Sequence, residues 1–354
     1  MIYVCYHIAS GLNYQTNLDL VLQALLDFGY KNIVVIDQFK RCNVFSDDLI
    51  YTSPSSVTIE PKSLVFVSFY QDIIPFLNLN EDKGQVKIIN IWHGMPIRAI
   101  NLLSPYEKNL QEIRMIAQNN SNIFHLVASD FYKSIFSISF NAIYKNIYTV
   151  GNIRNLDRKS YEFITGFRGT LALYAPTYDP DTNINRPDSL TQRMGFEGDD
   201  ILLNELLRHS GVHLFFKTHG LEARLTMNLY SNIHEISEQH LNDKRLDLNN
   251  ILEQFGVLIS DCSSLLFDFL SIEKPVIVLK PSKKFMSENT FNIDESLLFH
   301  SCPRSLSELA FQIEETSQSR TNQVSKNLAG LTDATAILDS KNQLEIAIKL
   351  ILAS

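Results

Sequence analysis

The stretch Leu248–Lys280, LNNILEQFGVLISDCSSLLFDFLSIEKPVIVLK, decides the fold. It reads as a helix Leu248–Phe255, a strand Val257–Ser260, a tight turn into a helix over Cys262–Ile272, and a strand Val276–Lys280. Val257, Leu258 and Ile259 form a short apolar run, the pattern of a strand buried on both faces of a parallel sheet. Asp261 ends that strand, and Ser263 and Ser264 stand where the next helix begins, since their oxygens can cap free backbone N–H groups. A helix start of this kind is also a seat for phosphate. The plainer reading is an ordinary capped helix of an α/β domain. Leu265, Leu266, Phe269 and Leu270 give that helix an apolar stripe, and Pro275 ends it.

Working outward, the same β-α-β grammar recurs. Ile2–Tyr6 reads as a strand, Leu18, Leu20, Val21, Leu25 and Leu26 as a helix, and Ile33–Ile36 as a second strand. Strands follow at Leu64–Phe69, Val86–Ile91, Phe124–Ala128 and Ile147–Val150. Helices are expected at Leu102–Asn119 and at Asp130–Phe140, the latter capped by Asp130. The first half is thus a sheet of about six strands. Arg154–Arg168 reads as the connection to a second half, with strands Leu171–Tyr174, Val212–Lys217 and Ile233–Ile236 and a helix Ile201–His209. Asp179–Asp200 reads as a long surface loop whose acidic pairs, Asp179/Asp181 and Asp199/Asp200, are solvated. Helices close the chain near Ser305–Glu315 and Asn342–Leu352. The fold class is α/β with two Rossmann-like domains, residues 1–155 and 168–335, and a C-terminal helix in 336–354.

Composition narrows the function. A chain of 354 residues, 45% hydrophobic and 20% charged, has material for two cores. A net charge of −8 argues against a general nucleic-acid binder. Four scattered cysteines without a CxxC fit reduced thiols in the cytoplasm, and no apolar run is long enough to span a membrane. No Walker loop, GxGxxG, HExxH or GxSxG is present.

Polar groups gather instead at strand exits, where parallel sheets bind their ligands. His93 leaves the strand Val86–Ile91, Arg154 follows Val150, and Thr177 follows Tyr174. Lys217 and His219 end Val212–Lys217 and, two apart in extended chain, can share a side. Asp261, Ser263 and Ser264 complete the set. Each alone has a bland reading as a turn, a surface cation or a cap. Together they supply donors for a diphosphate and an imidazole base for a hydroxyl nucleophile.

The series Trp92-His93-Gly94-Met95-Pro96-Ile97-Arg98, Tyr174-Ala175-Pro176-Thr177-Tyr178, Lys217-Thr218-His219 and Ser260-Asp261-Cys262-Ser263-Ser264, with Phe267-Asp268 and Lys274-Pro275, resembles the CDP-glycerol glycerophosphotransferase family. Teichoic-acid primases and polymerases and capsule-polymer transferases belong to it. The family's patterns read WHGTPLK, YAPTW, KxHP and TDYSSxxFD followed by KP, and Gly151–Asp157 is similar to its GxxRND element, loosened by Leu156. Met95, Arg98, Gly220 and Cys262 stand where the family has Thr, Lys, Pro and Tyr.

The resemblance implies a GT-B fold, two Rossmann-like domains with parallel sheets facing across a cleft and the nucleotide held by the C-terminal one. It implies transfer of glycerol or ribitol phosphate from a CDP-linked donor to a hydroxyl acceptor in wall or capsule polymer synthesis, with release of CMP. His93 is then the general base and His219, beside Lys217, the stabiliser of the transferring phosphoryl group. Ser263 and Ser264 hold the diphosphate, with Thr177 and Asp261 as further contacts and Arg154 as a contact to phosphate or acceptor. No metal cofactor is expected. The acceptor is lipid-linked or an oligosaccharide, and the place of action is the cytoplasm, peripheral to the inner face of the membrane. A GT-B glycosyltransferase using a nucleotide sugar is the alternative enzyme, separated by its donor; an inactive assembly subunit is the alternative outside catalysis, against which the two histidines stand.

Overall fold

A computed structural model describes residues 1–6, 16–38, 42, 44–77, 86–106, 109–156, 161–177, 189–197, 199–217, 230–244, 246, 248–319, 321–332 and 339–354. The chain divides into two compact units. One comprises Met1–Met95, Ala99–Arg158 and Ala336–Ser354; the other comprises Pro96–Arg98 and Lys159–Thr335.

Among the described residues the first unit carries a seven-stranded sheet in the order β3-β2-β1-β4-β5-β6-β7. Its strands are β1 Ile2–Cys5, β2 Ile33–Ile36, β3 Leu49–Thr52, β4 Leu64–Val67, β5 Lys87–Asn90, β6 Ile123–Val127 and β7 Ile147–Thr149. Every pairing is parallel. The apolar runs IVVI and LVFV of β2 and β4 are fully buried, as strands covered on both faces must be. From β1 the chain works out to β2 and β3, then returns to add β4 on the other side of β1. The order therefore reverses between β1 and β4, and ligands of such sheets bind beyond the carboxyl ends of strands at that point.

Among its described residues the second unit repeats the device with a five-stranded sheet, β10-β9-β8-β11-β12. These are β8 Thr170–Tyr174, β9 Val212–Phe216, β10 Ile233–Glu235, β11 Val257–Ser260 and β12 Val276–Val278, again all parallel. Here the order reverses between β8 and β11, so the exits carrying Thr177 and Asp261 flank the reversal.

Several elements differ from the sequence reading. The extra strand β3, LIYT, exposes Ile50 and Tyr51 at the sheet edge, and so lacks the apolar run that marks its neighbours. The helix expected at Leu102–Asn119 is a 3₁₀ turn Asn101–Leu103 followed by a helix Leu110–Gln118, because Pro105 interrupts the path. Leu248–Gln254 is a 3₁₀ helix, with Asn249 and Asn250 in its first turn. Within Asp179–Asp200, Leu190–Arg193 forms a short helix capped by Ser189. Asp200 is buried there, accepting the N–H groups of Leu190 (3.0 Å) and Thr191 (2.9 Å), so it is a structural acceptor and not a solvated charge. Asp199 caps the helix Asp200–His209. Ser129, not Asp130, holds the N-cap position of Asp130–Ser139, and Asp130 accepts a bond from Thr149 Oγ1 at 2.7 Å.

The helix Ser340–Ala353 packs on the first unit, where Leu344, Ala347, Ile348 and Ile351 join the core built by β1, β2, β4 and the helix Thr16–Asp27. Its polar seam is Lys341 to Asp27 (2.5 Å), and Lys87 Nζ donates to Ile351 O (2.6 Å). Ile348→Ala should lower the unfolding free energy by about 2–5 kcal/mol, the range for truncating a buried aliphatic side chain, as read by denaturant titration.

Candidate active site

In the first unit the site begins where β5 ends. Trp92 takes a left-handed backbone conformation, φ +54°, which a large side chain seldom adopts. Side chains from three other places hold the turn. Asn90, the last residue of β5, accepts the N–H of Trp92 on Oδ1 (3.0 Å). Asn17, near the start of the helix Thr16–Asp27, donates to Trp92 O (2.9 Å). Arg154, beyond β7, donates from Nη2 to His93 O (3.0 Å) and from Nε to Asn17 Oδ1 (3.2 Å). Gly151, at φ +80°, turns the chain toward Arg154, whose own N–H is accepted by Asn152 at 3.1 Å.

The imidazole of His93 is half-buried and stacks on Phe69, from the exit of β4, at 4.5 Å between ring centroids. The Trp92 ring lies 4.6 Å from it between centroids, tilted by 32°. The structure thus brings Arg154 to the backbone of His93, a contact beyond the phosphate or acceptor role expected of it. Asn17 and Asn90 were missed there. An Asn closing the apolar run of KIIN was the available signal.

In the second unit Asp261 ties the two exits at the reversal. Its Oδ1 accepts the N–H (2.7 Å) and hydroxyl (2.5 Å) of Thr177 and the N–H of Cys262 (2.6 Å). Ser260 Oγ donates to Ala175 O (2.5 Å), fastening β11 to the loop after β8 once more. Arg193 Nη2 donates to Thr177 O (2.9 Å). Ser263 and Ser264 follow, both half-buried; Ser263 Oγ accepts the N–H of Leu265 at 3.3 Å. The helix they precede, Leu265–Leu270, has only six residues, so its dipole is short and the hydroxyls matter more. Burial pushes the Cys262 thiol well above its usual range, with Asp261 adding to the shift; this sulfur is inert. Lys217 leaves β9 half-buried, its N–H donated to Tyr174 O (2.9 Å). His219 lies outside the described residues, as does Asp157.

Two motif elements have structural work instead. Pro96–Arg98, counted with the second unit, is gripped by Asn292, which donates its N–H to Ile97 O (2.7 Å) and Nδ2 to Pro96 O (3.0 Å) and Arg98 O (2.8 Å). Lys274 precedes β12, at the sheet end away from Asp261, and donates to the carbonyls of Glu253 (2.5 Å) and Phe255 (2.7 Å).

The sequence matches the family described as CDP-Glycerol:Poly(glycerophosphate) glycerophosphotransferase over residues 4–345. The chain belongs to this family. Membership gives the reaction: a polyol phosphate passes from a CDP-activated donor to a hydroxyl acceptor in wall-polymer synthesis. No curated protein matches the sequence. Among solved structures, the wall teichoic acid polymerase TagF is similar at TM-score 0.66 and 16% identity, covering 99% of this chain and 88% of that one. A histidine-to-asparagine variant of TagF soaked with CDPG aligns at TM-score 0.66 and 14% identity, over 99% and 87% of the two chains. The UDP-GlcNAc 2-epimerase of Neisseria meningitidis bound to UDP-GlcNAc gives 0.60 and 12%, over 100% and 99%. These likenesses establish the fold, a GT-B-like pair of parallel α/β domains.

In this glycerophosphotransferase, Asp261→Ala leaves the N–H groups of Thr177 and Cys262 without their acceptor. Thermal or denaturant unfolding should show a loss of about 1.5–3 kcal/mol, the worth of hydrogen bonding to a charged group. Asp261→Asn keeps one acceptor oxygen and should lose less.

Proposed function

We propose that His93 is the general base of the transfer and that the exits of β8, β9 and β11 hold the donor. The observation that carries this is the Trp92–His93 turn, whose three backbone groups are fixed by Asn90, Asn17 and Arg154 beside the sheet's order reversal. So much side-chain bonding around one strained turn fixes where the following ring sits. The acceptor hydroxyl attacks the β-phosphorus of the CDP-linked donor, and its proton passes to the neutral imidazole. The new P–O bond forms as the bond to the bridging oxygen breaks, and CMP leaves with that electron pair.

In the second unit, Ser263 and Ser264 donate hydroxyl bonds to the diphosphate, and Lys217 offers a cation to the charge that builds on the departing CMP. Positioning and electrostatics dominate phosphoryl transfer, which suits fixed donors of this kind. Thr177 and Asp261 shape that seat; a carboxylate already taking three donors is an organiser and not itself a phosphate ligand. His219 is assigned, on the family's KxHP pattern, to the transferring phosphoryl group. The transfer runs without a metal cofactor. On this reading the hydroxyls of Ser263 and Ser264 and the cation of Lys217 supply the charge stabilisation. The donor's polyol is glycerol or ribitol, and the acceptor is lipid-linked or an oligosaccharide, met at the cytoplasmic membrane face. No helix among the described residues is long and apolar enough to cross a membrane.

His93→Ala should lower turnover by about 10²–10⁴-fold, the worth of a general base, with donor affinity and melting temperature near the parent's. Unchanged turnover per folded molecule would remove His93 from the mechanism. Ser263→Ala and Ser264→Ala should each weaken CDP binding, by about 1.5–3 kcal/mol in calorimetry. Activity should also survive excess EDTA; loss that magnesium restores would mean a metal is required after all.

A further inference from the structure

We propose that Asn90 and His125 are positioning residues for His93, acting through the backbone of Trp92; this rests on His93 being the base. Asn90 is fully buried and has two faces to satisfy. Its Oδ1 accepts from Trp92 N, so its Nδ2 must point the other way, and it meets His125 Nδ1 at 3.2 Å. An amide nitrogen only donates, so His125 Nδ1 must be the bare acceptor and the ring proton sits on Nε2. The tautomer of one buried histidine thus fixes the orientation of the amide, and the amide fixes the strained turn that carries the other histidine.

The packing says the same. His125 lies within β6, 1% exposed, with Phe140 at 4.8 Å and Phe136 at 5.8 Å between ring centroids. The Trp92 ring packs on those same two rings, at 5.3 Å and 6.1 Å. His125 and Trp92 therefore share one aromatic wall, and the hydrogen-bonded path through Asn90 runs alongside it. Burial pushes the pKa of His125 down to about 3, so the acceptor nitrogen stays bare throughout the working pH range. The sign follows: between its ordinary value of 6.5 and about 3, the unfolded chain binds a proton that the folded chain refuses, and stability falls as pH falls.

A polar residue inside the strand IFHLV would otherwise be a cost. Phenylalanine would suit the surrounding rings, and it would leave the Asn90 amide without an acceptor. The chain keeps histidine where only one nitrogen lone pair is needed. That lone pair orients the amide that holds the N–H of Trp92.

Trp92 is the only tryptophan, so its emission reports this turn, and protonation of the adjacent His93 imidazole, 4.6 Å away, should quench it. The test compares Asn90→Leu, His125→Phe and His125→Gln in the full chain, reading Trp92 emission against pH together with kcat and KM for the CDP-linked donor. Asn90→Leu and His125→Phe should alter the emission and its titration and lower kcat by about tenfold to a hundredfold, the cost of a misplaced catalytic group, with KM little changed. His125→Gln, whose Oε1 can accept from Asn90, should restore both signals. If Asn90→Leu fails to fold, the two His125 variants decide. Emission and its titration unchanged in folded His125→Phe would overturn the proposal, whatever turnover does. Altered emission with unchanged turnover would uphold the positioning path and dismiss His93 as the base.

Discussion

A strand that leaves a parallel sheet takes its next backbone groups away from the ladder, and inside a protein those groups must find other partners. This chain supplies them from buried and half-buried side chains around the exits that matter. At the end of β5 the groups of Trp92 and His93 are taken by Asn90, Asn17 and Arg154. At the ends of β8 and β11 those of Thr177 and Cys262 are taken by one oxygen of Asp261. Loops held this way lose the freedom that exposed connections usually have. The polar residues at the exits thus serve two ends, closing the fold and aiming the residues beside them.

The two units solve the problem with different chemistry. In the first the holders are neutral amides and a guanidinium. In the second the holder is a carboxylate, and the hydroxyls of Ser263 and Ser264 follow it. An anionic donor gains nothing from Asp261 directly. Its charge is spent on Thr177 and Cys262, which makes it compatible with the phosphate seat proposed nearby.

Much of the fold could be read from local pattern. β2 and β11 coincide with their expected bounds because each is a short apolar run between turn residues, the most legible signal of a parallel sheet. β3 escaped because an edge strand with two exposed side chains carries half that signal. The helix Gln323–Thr332, QVSKNLAGLT, escaped because Ser325, Asn327 and Gly330 dilute its stripe. The site divided along another line. Motif residues such as His93, Asp261 and Ser263 lie next to the elements that place them, so their positions at strand exits were legible. Their holders were not, since Asn17 meets Trp92 from 75 positions away and Arg154 meets Asn17 from 137. No local pattern encodes such pairs. The nearest trace is a polar residue inside an apolar strand, as at His125.

The docking of Ser340–Ala353 onto the first unit has a bearing on how the protein is made. Synthesis runs in one direction at about 5–20 residues per second, and domains tend to fold as they emerge. The second unit, apart from Pro96–Arg98, is one uninterrupted stretch and can condense as soon as it clears the ribosome. The first unit is translated earlier yet waits for Leu344, Ile348 and Ile351, so the groove they fill stays open while the whole second unit is being built. In that interval the aliphatic surface that those side chains cover stays bare, and the unit translated first is completed after the second.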